Sequence, residues 1–155
     1  MKEILLTRGL VAIVDDDDFE ELSIYKWNVL KGKYTFYAVR TSGARCILMH
    51  RQILGVSERT TLTDHRNGNG LDNRRENIRP CSITENNRNK RAYRNNKSGA
   101  KGVSWIESAK SWSVRITVDK NLIYIGSFKE KCDAMEAYNN AATMLHGKFA
   151  SLNQT

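Results

Sequence analysis

Apart from one stretch near its C-terminus, the chain carries its apolar residues in runs too short for anything but small strands and single-turn helices. Residues 4–6, 10–14, 26–30, 34–40 and 45–49 are β-branched or aromatic runs. Arg8-Gly9, Lys31-Gly32-Lys33 and Ser42-Gly43 punctuate several of them. Three more such runs, 102–106, 111–119 and 122–128, read as antiparallel strands, with Asp119-Lys120-Asn121 as the second turn. The helical exception follows them, from about 130 to 146. There Ala134, Tyr138, Ala141 and Leu145 recur at helical spacing, and Gly147 stands just past the end. The pattern predicts an α+β chain: a β-rich N-terminal segment, a chemical module in the middle, and a C-terminal three-stranded sheet with one helix. A sheet and helix of that size bury only a thin core.

The 155 residues suit one ordinary domain or two very small ones. No apolar stretch approaches the roughly 20 residues that cross a bilayer, and the N-terminus lacks the features of a signal peptide. Cys46, Cys81 and Cys132 are odd in number and scattered. They suggest neither a disulfide framework nor a structural zinc, so each is expected to be a small buried residue in a reducing, cytosolic setting.

The net charge of +8 is unevenly placed. Residues 1–59 and 102–155 are nearly balanced, whereas 60–101 hold ten bases against four acids. Within that segment Arg88, Lys90, Arg91, Arg94, Lys97 and Lys101 follow one another with no acid between them. Residues 92–101 are a polar linker without apolar period. A basic strap bounded by ordered segments is suited to tracking nucleic-acid phosphates, whose neutralisation dominates affinity.

Just before the strap lies the densest chemistry. A strand ends in Asp64-His65, a loop follows through Asn67-Gly68 and Asn69-Gly70, and a return strand is expected at 78–80. Ser82 and Glu85 then have the spacing of a capping box, which starts a helix at Ser82 running to about Arg91 and places Asn86 one turn inside it. Histidine is the side chain best suited to accept a proton near neutral pH. One carboxylate and one amide oxygen leave most of an octahedral Mg²⁺ shell for water and phosphate. In a regular strand Asp64 and His65 point to opposite faces. Either the strand is irregular there or the two act from different sides of a phosphate. His50 either contacts the scissile phosphate or supports the metal site, or it merely starts a short helix over 50–54. The acid run Asp15 to Asp18 reads as a capped helical turn, because consecutive carboxylates cannot converge on one ion. His146, at a helix C-terminus, reads as a favourable dipole partner.

The set Asp64-His65, Asn77, Asn86, with GNGLDNRRENIR between and Met49-His50-Arg51 upstream, resembles the HNH endonucleases of the phage and intron-encoded homing type. The likeness covers roughly 47–91. It implies a ββα-metal module with His65 as general base and Asp64 and Asn86 as ligands of one divalent metal, Mg²⁺ or Mn²⁺. It also implies Asn77 as the brace of the loop, His50 as an accessory catalytic residue, and a phage-infected host or bacterial cytosol as the setting. From Lys101 to Asn153 the marks Gly102-Val103, Trp112, Ile125-Gly126-Ser127-Phe128, Ala137-Tyr138 and Leu152-Asn153 resemble the APETALA-two (ERF-type) DNA-binding domain. That likeness implies a sheet laid on the major groove, with Trp105, Trp112 and Arg115 facing or flanking double-stranded DNA. Three segments are expected: 1–91 merging into the nuclease module (core 47–91), the basic linker 92–101, and the DNA-binding unit 102–155. The expected activity is metal-dependent hydrolysis of DNA phosphodiesters by a monomer or DNA-bound dimer. The competing expectations are a non-catalytic DNA-binding protein with a decayed nuclease module and, behind it, an RNA-binding protein.

Overall fold

The computed structural model describes residues 1–56, 60–90, 92 and 95–154. The chain is α+β, with several small antiparallel sheets and four α-helices among the described residues. It divides into two compact units, Met1–Ile83 and Thr84–Thr155. None of the helices is long and apolar enough to cross a membrane.

In the first unit, β1 (Lys2–Leu5) and β2 (Val11–Val14) form a hairpin. Its connection is closed by Arg8 and Gly9, both at positive φ. α1 (Asp16–Ser23) begins after Asp15, with Asp16, Asp17 and Asp18 in its first turn, where carboxylates offset the positive end of the helix dipole. β3 (Asn28–Lys31), β4 (Phe36–Ser42) and β5 (Arg45–Leu48) form a meander in the order β3-β4-β5. The short helix α2 (Met49–Ile53) follows at once, and β6 (Leu62–His65) pairs with β7 (Ile78–Cys81). Val14, Leu22, Trp27 and Met49 lie at the centre of one apolar core. The indole of Trp27 donates to the Leu22 carbonyl at 2.8 Å, so its polar atom is satisfied inside that core.

α3 (Ile83–Asn89) starts directly after Ser82, and the second unit begins at its second residue, Thr84. β8 (Val103–Ile106), β9 (Ser111–Val118) and β10 (Asn121–Phe128) form a sheet in the order β10-β9-β8, backed by α4 (Lys131–His146). The core joins Ala134, Tyr138 and Ala142 of the helix to Val103, Val114 and Ile116 of the sheet. The apolar stripe of α4 is rotated from the expected one. Ala134 and Tyr138 are buried, but the line continues through Ala142 and His146, while Leu145 is 40% exposed. Successive steps of four residues keep side chains on one face, and Ala142 fits the close approach to the sheet. Gly102 stands at φ +72°, where a methyl group would overlap the Tyr138 ring and the Arg115 carbonyl. Gly102→Ala is therefore expected to destabilise this unit by about 1–3 kcal/mol, read as a lowered midpoint in thermal unfolding.

The cysteines depart from expectation. Cys46 and Cys132 are exposed and Cys81 is half-buried, all three as free thiols. Cys46 sits on the edge strand β5 and Cys132 in the first turn of α4, positions whose side chains the small cores do not reach.

Candidate functional site

The β6–β7 ladder is regular through its end, pairing Asp64 with Arg79 and His65 with Ile78. With no bulge, the two neighbours project to opposite faces of the hairpin. On one face the Asp64 carboxylate meets Arg79, whose Nε and Nη2 donate to Oδ2 at 3.1 and 2.8 Å. Both side chains are more than nine-tenths buried. Buried charges of this kind are tolerated when they are paired and hydrogen-bonded.

On the other face His65 stands among groups drawn from three elements. The ring of His50, from α2, meets it edge-on with centroids 4.7 Å apart. Tyr37, from β4, lies 5.9 Å from His65 and 5.8 Å from His50. Asn73, fully buried in the loop, presents Oδ1 to His65 Nε2 at 3.4 Å. The Asn73 amide is oriented by its own donation from Nδ2 to the Leu71 carbonyl at 3.1 Å. That donation turns the Asn73 amide oxygen toward the imidazole. Burial pushes the His65 pKa below its ordinary value, against the opposing effects of the Asn73 bond and of Asp64 and Asp72. Burial, then the neighbouring His65 and Arg51, takes His50 down to about 3, so it is neutral at physiological pH. Burial and then Asp64 push the Tyr37 hydroxyl up. The result is a partly desolvated imidazole whose protonation burial disfavours, held among Asn73, His50 and Tyr37, an arrangement able to accept a proton.

The loop between the strands is tied down along its length. Asn77 is buried. Its Oδ1 accepts from the Asn67 backbone at 3.0 Å and its Nδ2 donates to the Asp72 carbonyl at 2.7 Å, which joins the two ends of the loop. Asp72 receives the Arg74 guanidinium and the Asn67 amide, which hold its carboxyl below the usual range. The first 49 residues supply the outer supports. Ile13 of β2 exchanges backbone bonds with Leu71 and Asn73, both at 2.8 Å. Asp15 accepts from the Arg75 backbone and Asp18 from its guanidinium. Thr35 Oγ1 accepts from the Gly70 backbone, where a side chain would collide with the Phe36 carbonyl and the Tyr37 ring. The acid run therefore anchors the loop as well as starting α1.

The remaining predicted residues lie in the second unit. Asn86 is half-buried midway along α3. Arg88 pairs with Asp119 at 2.9 Å, and Lys90 donates to Asn87. Lys101 sends its ammonium to the carbonyls of Arg88 and Lys90, at 2.5 and 2.6 Å, where it satisfies the C-terminal end of α3. Burial lowers its pKa to about 8. Lys97 is exposed, and Arg91 and Arg94 lie outside the described residues. In the sheet, Trp105 and Trp112 are ladder partners with rings 5.2 Å apart on the face that carries the core, against which Trp112 packs. Arg115 lies on the opposite, exposed face, across from Tyr124.

Sequence reasoning passed over Asn73, Tyr37 and Arg79. Only Arg79 left a local signal: a return strand beginning at 78 sets it opposite Asp64. Tyr37 reaches the site through tertiary packing that no nearby spacing encodes. No protein-family model, no curated protein and no solved structure matches this chain.

Proposed function

We propose that the chain is a metal-dependent DNA endonuclease of the HNH type, with His65 as the general base that takes a proton from the attacking water. The observation that carries this reading is the buried His65, whose Nε2 lies 3.4 Å from the Asn73 amide oxygen and whose ring is set among His50 and Tyr37. His50 and Tyr37 hold the ring and limit water around it. Asn77 keeps the loop closed beside it.

The chemistry of the donors suits a hard divalent cation, Mg²⁺ or Mn²⁺. Asp64 offers a carboxylate and Asn86 an amide oxygen, and such an ion keeps most of its shell for water and phosphate. Arg79 Nε and Nη2 donate to Asp64 Oδ2 and so help to fix the carboxylate's direction. When bound, the cation would stabilise charge on the leaving oxygen. A single site cuts one strand, so nicking is the expected outcome for a monomer. The exposed Lys97 of the strap and Arg115 of the sheet would hold the duplex, whereas Arg88 and Lys101 are engaged within the unit.

A non-catalytic DNA-binding protein is the second reading, and the buried Asp64–Arg79 pair favours it by occupying part of the carboxylate. The two separate on supercoiled plasmid. With Mg²⁺ or Mn²⁺ the endonuclease yields relaxed circles, and EDTA abolishes them. Unchanged plasmid under every condition supports the second reading.

A further inference from the structure

Arg66 follows His65 directly, and the pairing of charges around it singles it out. The segment 66–79 contains four arginines: Arg66, Arg74, Arg75 and Arg79. The guanidinium of Arg74 is held by Asp72 and Glu76, that of Arg75 by Asp18, and that of Arg79 by Asp64. These pairs engage Asp72 and Glu76 of the loop and Asp18 of the run that anchors it. Among the described residues the guanidinium of Arg66 meets no carboxylate, and its side chain is exposed.

Its backbone is nevertheless fixed. The Arg66 N–H donates to the Asn77 carbonyl at 2.9 Å, and the Gly68 N–H closes a turn onto the His65 carbonyl at 2.9 Å. The loop thus presents one uncompensated, always-charged fork at a rigid root adjoining the base. Guanidinium suits a phosphate because its donors match two oxygens at once.

We propose that Arg66 is a substrate-contact residue that grips a backbone phosphate of the strand passing over His65. The proposal rests on the endonuclease reading for its place beside the reaction, but the contact can be measured without cleavage. Binding of the full chain to a short duplex is followed against salt in EDTA, for wild type, Arg66→Ala, Arg66→Lys and Arg75→Ala, with thermal unfolding checking each fold. Arg66→Ala is expected to reduce the slope of log affinity against log salt by about one unit. Arg66→Lys should keep the slope, because the charge remains. Arg75→Ala should also keep it, because that guanidinium is already paired. An unchanged slope for Arg66→Ala, or an equal loss for Arg75→Ala, overturns the contact. The expected slopes from a wild type that leaves plasmid uncut uphold the contact and overturn the endonuclease reading instead.

Discussion

His65→Ala is expected to slow strand cleavage by about 10²–10⁴-fold while leaving the chain folded and bound to DNA, the range lost when a positioned general base is removed. The effect should fall on kcat. On the endonuclease reading the imidazole would act as the proton leaves water, and phosphate binding would belong to the basic residues elsewhere. His65→Gln should be nearly as inactive, since an amide can fill the space beside Asn73 but cannot accept the proton. Single-turnover cleavage at saturating enzyme isolates this step. A loss confined to KM would assign His65 to binding and remove it as the base.

The second large effect concerns stability. Arg79→Ala removes the guanidinium from the buried Asp64 carboxylate, and breaking a pair of this kind costs about 3–5 kcal/mol. Much of the folding free energy of a small unit is of that size. The first unit is therefore expected to unfold at markedly lower denaturant, losing its near-ultraviolet aromatic signal from Trp27. Asp64→Asn with Arg79→Met should recover much of the loss, because neither buried charge remains. If Arg79→Ala alone unfolds at the wild-type midpoint, the pair contributes nothing measurable and the carboxylate is hydrated.

The residues that were legible in the sequence are those whose relations are local. Strand runs and turn dipeptides placed the hairpins, and the helix after β10 was visible from Ala134 and Tyr138 recurring four residues apart. Its rotation toward Ala142 was not, because the facing strands decide which small residue meets the sheet. At the site, Asp64, His65 and Asn77 stood out by spacing within one loop. Asn73 did not, since an asparagine in a turn-rich loop reads as turn chemistry until His65 is seen beside it. Lys101 belonged to a basic run, yet its ammonium satisfies helix carbonyls more than ten residues back in the chain. A charge count registers the sign of a residue but not the partner that folding assigns to it. The exposed thiols Cys46 and Cys132 make the same point for an apolar type: average burial describes large cores, and these are thin.

The central claim is that His65 performs metal-dependent hydrolysis, and relaxation of supercoiled plasmid by matched variants tests it most directly. Wild type, His65→Ala and His146→Gln are compared with Mg²⁺ and with EDTA. His146 is the useful control, a histidine of the second unit bonded to the Thr117 carbonyl at 2.9 Å. The prediction is relaxed circles from wild type and His146→Gln with the metal alone, and intact supercoils from His65→Ala. Relaxation by His65→Ala at the wild-type rate, or none by wild type, would contradict it.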